Sequence, residues 1–460
     1  MYNLDFSDTE KHVHFIGIGG ISMSTLAELL IDRGFKVSGS DSTPSPITDS
    51  LSAMGAVINI GQVAENITDD IDLVIMTAAI HEDNPELMAA RKKEVPILTR
   101  AQFLGQVMKL YKYPCAIAGA HGKTTVTSMV SELLIGANAD PTLSIGGILP
   151  SIGGNFRLGR SEYFVTEACE YTNSFLSFFP KYEIILNIDA DHLDFFKDLD
   201  DIRSSFRRFA ALVPGDGVLI INGDIENLSY ITEEVKGRII TFGTGEDCDY
   251  TASDIVYDDM ARASFTAKNK GREIGRFTLG VPGSHNVVNA LSVIALADVL
   301  SIELPVVQKA LSSFTGSRRR FEVKGSYNGA TVIDDYAHHP TEIRATLSTA
   351  LTYPHKRLWC VFQPHTFTRT KALMEEFADA LSLSDNLVLA PIYPARETDD
   401  LGISSETLAE RIREKGHQAV CPGDFSDIEK FFEKNLLPGD LLITMGAGDI
   451  VKVGENLLSK

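Results

Sequence analysis

The chain has 460 residues, with 42 Lys and Arg against 62 Asp and Glu and a formal net charge of −20. That length predicts about three domains, 44% hydrophobic content argues against disorder, and the acidic balance argues against general nucleic-acid binding. No apolar run approaches the ~20 residues that span a bilayer, the acidic start lacks a signal-peptide pattern, and five scattered cysteines predict reduced thiols in a cytoplasmic protein.

Short β-branched runs alternate with longer helical patterns, so the expected class is α/β with mostly parallel sheets. Breaks are expected near residues 110–114 and 316–320, giving domains over 1–110, 111–316 and 317–460. In the first, a strand from His12 runs into Gly17-Ile-Gly19-Gly20-Ile-Ser22-Met23, a helix follows, and a second strand ends at Asp41. Glycines there allow close backbone approach to a phosphate at a helix N-terminus. Asp41 stands about two dozen residues on, where a Rossmann carboxylate meets a ribose. Ser22 replaces the third glycine of that fingerprint. The turn suits NAD or a UDP-sugar alike, and an ordinary tight turn needs the same glycines.

In the second domain, a strand enters Gly119-Ala120-His121-Gly122-Lys123-Thr124-Thr125, which opens a helix. Backbone N–H groups in such a loop cradle phosphates, the lysine neutralises them and a threonine hydroxyl holds Mg²⁺. The standard Walker spacing is not met, since Ile117 stands where its first glycine belongs. Two further strands end in Glu167-Ala-Cys-Glu170 and Asn187-Ile-Asp189-Ala-Asp191-His192. Strand ends of a parallel sheet converge on one crevice, so Glu167 and His192 are expected beside Thr124 as a magnesium site. Histidine is an unusual ligand for so hard an ion, which keeps Asp191 and Glu170 as alternatives. Later, Gly283-Ser-His285-Asn286 opens a helix with Asn289 on its His285 face. Asn289 suits an adenine edge, while local reasoning alone reads Ser284 or Asn286 as helix caps.

The third domain repeats the strand-end pattern at Asp334-Asp335-Tyr336-Ala-His338-His339, at Gln363-Pro-His365-Thr366-Phe-Thr-Arg369, at Tyr393-Pro-Ala-Arg396-Glu397 and at Gly446-Ala-Gly448-Asp449. A transition-metal site from Asp335, His338, His339 and His365 is a minor alternative, because adjacent histidines face opposite ways in an extended chain. Arg318, Arg319 and Arg320 at the joint suit a cationic arm reaching a phosphate, and equally a solvated turn. Two phosphate-binding domains under a third carrying His, Asp and Arg fit ATP-driven activation of an anionic substrate.

Together these motifs resemble the Mur ligase family nearly end to end: HFIGIGGISM at 14–23, GAHGKTT at 119–125, EACEYTNSFL at 167–176, NIDADHLD at 187–194, GSHNVVNA at 283–290, RRRF at 318–321, DDYAHHPTE at 334–342, FQPHTFTRT at 362–370 and YPARE at 393–397. The resemblance implies a Rossmann-like N-terminal domain, a P-loop-type central ATPase domain and a Rossmann-like C-terminal domain. It implies that Gly17, Gly19, Gly20, Ser22, Met23 and Asp41 line the site for UDP-N-acetylmuramate. ATP falls to Gly119, Ala120, His121, Gly122, Lys123, Thr124, Thr125, Asn289, Arg320 and Asp335, and Mg²⁺ to Thr124, Glu167 and His192. His338 and Arg369 position the incoming amino acid, and with Lys123 they form the catalytic set. In this family a carboxylate attacks the ATP γ-phosphate, and an amine then displaces phosphate from the acyl phosphate through a tetrahedral intermediate.

Two departures bear on the substrate. Thr366 stands where many relatives carry Arg, which leaves Ala, Gly and Ser open. No lysine lies between Lys197 and Lys236, where other branches carry a carbamoylated one, as expected of the branch that adds L-alanine during peptidoglycan precursor synthesis. The chain is expected to act as a monomer or weak homodimer. A murein-peptide recycling ligase, an NAD-dependent oxidoreductase and a nucleotide-sensing binding protein are the rival readings.

Overall fold

The computed structural model describes residues 2–77, 79–395 and 397–460; Arg396 of the YPARE motif lies outside them. Three sheets follow one another along the chain. The first has five parallel strands in the order Val57–Ile60, Lys36–Asp41, His12–Ile16, Leu73–Met76 and Ile97–Thr99. Its central strand, HVHFI, is buried along its whole length, as expected of a parallel sheet covered on both faces. Strand order reverses between His12–Ile16 and Leu73–Met76, and a crevice opens above strand ends at such a reversal.

The central sheet has ten strands. Arg238–Phe242, Val218–Asn222, Tyr182–Ile185, Tyr113–Ala118, Tyr163–Ala168 and Thr142–Leu149 run parallel. Both flanks depart from the mostly parallel expectation. Gly154–Arg157 is antiparallel on one edge, and Tyr250–Tyr257, Arg262–Asn269 and Arg272–Pro282 form an antiparallel meander on the other. The meander packs one face only, with Ala263, Phe265 and Ala267 turned inward. That one-sided burial is what antiparallel edges tolerate and parallel strands do not. Helices Lys123–Gly136, His285–Val299 and Leu304–Ser313 cover one face.

The opposite face shares a continuous apolar core with the first sheet. Phe15, Phe103 and Val107 pack in one cluster with Phe164, Phe175 and Phe209. Helix Arg100–Met108 is the joint: Gly105 approaches the Ser177 backbone so closely that a Cβ there would lie 1.9 Å from its carbonyl oxygen. The third sheet has the order Glu322–Tyr327, Ala330–Asp335, Leu441–Met445, Leu358–Phe362, Asn386–Leu389 and Ala419–Val420. It is parallel except for its first strand and has its own cores. Among the described residues, no helix is long and apolar enough to cross a membrane.

Candidate functional site

Strand Tyr113–Ala118 delivers the phosphate-type loop. Gly119 and Gly122 sit at φ +144° and +85°, which a side chain disfavours. The loop is stitched to the next strand end: the His121 N–H donates to Asn187 Oδ1 at 2.8 Å, and Asn187 Nδ2 donates back to the His121 carbonyl at 3.0 Å. Lys123 folds over the loop, donating to the Gly119 and Ala120 carbonyls and pairing with Glu170 at 2.9 Å. Burial opposes its charge, yet Glu170 holds the ammonium above its ordinary pKa.

Beside this pair, Thr124 Oγ1 donates to Glu167 Oε2 at 3.2 Å, and the Gly146 N–H holds the other carboxylate oxygen. Burial pushes the Glu167 carboxyl up. His192 lies on Tyr171, with Nε2 3.9 Å from both Glu170 and Asp191. The expected metal residues thus divide: Thr124 and Glu167 touch, while His192 stands beside Glu170, the alternative ligand. Asn289 donates to Asn286, whose own amide donates to the Pro282 carbonyl. Ser284 stands at the N-cap position of this helix, though its side chain makes no capping hydrogen bond, and the Asn286 side chain is spent on Pro282 and Asn289. Asn289 and His285 line a cavity of about 280 Å³ with Gly122, Thr125, Arg320 and Asp335.

The third domain closes over these strand ends. Arg320 Nη2 donates to Thr124 at 3.5 Å and stacks on Tyr336. Arg319 instead pairs with Asp334 at 3.0 Å, and among the described residues Arg318 ties to the chain only through its backbone at Ile148. The three arginines therefore do three different things. Asp335 accepts the Phe321 and Ala337 N–H groups, and burial pushes its pKa up to about 6. Arg369 reaches across to Asp191 at 2.8 Å. With His192, His365 and Thr366 they line a second cavity, of about 430 Å³.

His338 and His339 do face different ways. His338 pairs with Glu342 and lies against His365, while His339 stacks on His121 and donates toward Ala190. The transition-metal grouping is not assembled, since Asp335 is spent on backbone N–H groups. Among the described residues, the metal-like cluster that does form is His121, Asp189 and His339. Its carboxylate already accepts from Thr341 Oγ1 at 2.6 Å and from His121 at 3.1 Å, so it is a clasp between domains. Glu342 completes it, 3.3 Å from His121. Sequence reasoning passed over Asp189 and Glu342 as site residues, although Glu342 stands four positions after His338, one helical turn on.

In the first domain, the Gly17 and Ile18 N–H groups donate to the Ser40 carbonyl, and the Gly19 N–H donates to Asp41 Oδ2 at 2.9 Å. Asp41 thus holds its own glycine turn through Oδ2. Gly20 begins helix Ile21–Asp32 with no side-chain cap. Ser22 lies in its first turn, and Met23 is buried in the core.

Three sheets in this order, with a lysine loop on the second and an arginine reaching it from the third, are the architecture of a three-domain ligase. The chain belongs to the Mur ligase family: residues 12–112 match the family's catalytic domain, 117–297 its middle domain and 319–448 its glutamate ligase domain. It is 58% identical to the UDP-N-acetylmuramate–L-alanine ligase of Lachnospira eligens and 55% identical to that of Agathobacter rectalis, covering all of both chains. Among solved structures it resembles the UDP-N-acetylmuramate–alanine ligase of Thermotoga maritima, with TM-score 0.80, 32% identity, and 97% and 98% of the two chains covered. A murein peptide ligase from Psychrobacter arcticus follows at TM-score 0.70 and 25% identity.

Proposed function

We propose that this chain joins L-alanine to the lactyl carboxylate of UDP-N-acetylmuramate, converting ATP to ADP and phosphate, in peptidoglycan precursor synthesis. The observation that carries the reading is the convergence of the Lys123–Glu170 and Thr124–Glu167 pairs with Arg320 at one interdomain cleft. Residues 1–110 bind the UDP substrate, 111–316 bind ATP and 317–460 present the amino acid. Five free thiols suit a cytoplasmic setting.

The chemistry must bring two anions together. The substrate carboxylate attacks the γ-phosphorus and ADP leaves. The amine then attacks the acyl carbon, and phosphate departs from the tetrahedral intermediate with the C–N bond formed. Lys123 exchanges Glu170 for phosphate oxygens, and Arg320 approaches from the third domain, so positive charge gathers where negative charge accumulates. A hydroxyl and a carboxylate oxygen 3.2 Å apart, at Thr124 and Glu167, fit a hard cation, with His192 as the remaining residue of the set. Magnesium, when bound, supplies neutralisation of the phosphate charge. Asn289 and His285 face the adenine. Arg369 exchanges Asp191 for the amino-acid carboxylate, with His338 beside it. Closure of the third domain excludes water, which would hydrolyse an acyl phosphate.

The test is phosphate release with ATP, UDP-N-acetylmuramate and a panel of single amino acids. Turnover with L-alanine, and slower turnover with glycine or L-serine, is expected. Turnover that requires a preformed tripeptide would overturn the reading in favour of a recycling ligase.

A further inference from the structure

Three of the cleft's cations have partners. Lys123 is held by Glu170, Arg369 by Asp191, and Arg320 by Thr124 and the Tyr336 ring. Arg100 is different. It is the first residue of helix Arg100–Met108, directly after strand Ile97–Thr99. It thus stands at the carboxyl edge of the first sheet, where that domain's crevice opens. Its guanidinium makes no hydrogen bond or ion pair with any described residue, although it is mostly shielded from water.

The helix is fixed in place. Gly105 seats it on the Ser177 backbone, Gln106 bonds Tyr2 and Leu4 at the chain's start, and Thr99 and Gln102 cap its N-terminus reciprocally. The helix that begins with Arg100 is therefore fixed against the segment that follows the strand end Glu167-Ala-Cys169-Glu170. The guanidinium's field reaches the Cys169 thiol, as do those of Lys123 and Glu170. Burial pulls its pKa down. A buried cation without a counter-ion is costly, and a guanidinium so placed matches a planar carboxylate in a two-point contact.

We infer that Arg100 is a substrate-binding residue that receives the carboxylate of the acid sugar as it is brought from the first-domain crevice to the Lys123 phosphate site. The inference rests on the proposed reaction and adds the one cation that reaction requires on the acid's side. Lys123 answers the phosphate, and Arg100 answers the nucleophile.

The test compares wild type, R100K and R100M. Michaelis constants are measured for UDP-N-acetylmuramate, ATP and L-alanine, and calorimetric binding for UDP-N-acetylglucosamine, which has the nucleotide and sugar without the lactyl carboxylate. R100M should raise the KM for UDP-N-acetylmuramate about 10–100-fold, the range for losing one charge-assisted hydrogen bond. R100K should fall between, KM for ATP should stay within about twofold, and UDP-N-acetylglucosamine should bind all three alike. An unchanged KM for the acid overturns the assignment. So does equal weakening of UDP-N-acetylglucosamine, which would give Arg100 to the diphosphate. If R100M does not fold, the same comparisons are read on R100K. Should wild type itself release no phosphate with UDP-N-acetylmuramate, the proposed reaction fails before Arg100 is tested.

Discussion

His121 lies in the phosphate-type loop, yet its ring is gripped from the third domain as well as from its own. Nε2 meets Asp189 at 3.1 Å, and Nδ1 stands 3.3 Å from Glu342. Burial pulls its pKa down, but the two carboxylates outweigh burial and hold it at about 9 against an ordinary 6.5. The folded state therefore keeps a proton that the unfolded chain loses first. The stabilisation is complete below pH 6.5 and is lost as pH rises through about 9. At 1.36 kcal/mol per unit, the interval is worth about 3 kcal/mol; the matching depression of Asp189 belongs to the same pair and is not added. For a folding unit of about 200 residues, that is a melting difference of about 6–12 °C. His121→Asn removes the titrating group, so melting curves of wild type and variant should differ most at pH 6 and converge by that amount by pH 10. Other titrating groups cancel in the difference. A wild-type–variant gap of the same size at both pH values would refute the clasp.

Lys123→Ala should cut kcat about 10²–10³-fold, the scale for losing a preorganised charge at the transition state; turnover equal to wild type would remove Lys123 from the phosphate site. Gly146→Ala puts a Cβ 2.5 Å from Glu167 Oε2, so the carboxylate must shift, and the magnesium concentration for half-maximal rate should rise about tenfold, as for loss of one ligand's support. A magnesium titration that superimposes on wild type counts against Glu167 as a ligand. Glu183 is fully buried in strand Tyr182–Ile185 with neither carboxylate oxygen hydrogen-bonded among the described residues, and burial pushes its pKa well above the ordinary 4.5. Its penalty therefore grows as pH climbs from about 4.5 toward the folded value. Glu183→Met should stabilise the chain by about 1–3 kcal/mol at pH 7.5 and by less at pH 4, read from denaturant midpoints; a destabilised variant at neutral pH would show that the carboxylate has a partner.

What the sequence made legible was whatever a local rule controls. Strand-to-loop junctions at Gly17, Gly119, Glu167 and Asp335 could be read because a buried apolar run ending in polar residues marks the carboxyl edge of a parallel strand, and chemistry gathers there. The antiparallel meander from Tyr250 to Pro282 was not foreseen, since its pairing depends on one face lying open to water, which periodicity in a short segment does not settle. Which of three consecutive arginines reaches the loop is likewise decided by tertiary placement. Arg319 turns back to Asp334 and Arg320 points forward to Thr124, and no pattern within RRRF distinguishes them. Glu170 was kept only as an alternative ligand, yet it is the direct partner of Lys123. That contact joins a strand end to a loop 47 residues away and leaves no trace in spacing.

The net charge of −20 gains a structural meaning from these pairs. An acidic protein that must gather phosphates and a carboxylate needs cations at the site, and an unneutralised cluster of them in a half-buried cleft would strain the fold. Here Glu170 and Asp191 serve as internal counter-ions for Lys123 and Arg369. In the proposed reaction, binding of phosphate or amino acid is then an exchange of one carboxylate for another anion, and the released acid stays nearby. Anions consequently bind less tightly than to a bare cation, a useful property where ADP and phosphate must leave each cycle. Glu170, while paired with Lys123, also stands 3.9 Å from His192, beside the pair proposed to hold the metal, so in the proposed reaction lysine release and metal capture are coupled through one side chain. Glu170→Gln should accordingly tighten ADP binding while weakening the magnesium dependence of that binding, and calorimetry with and without magnesium resolves the two. If ADP binds no tighter, or if the ratio of its affinities with and without magnesium matches wild type, the exchange argument fails.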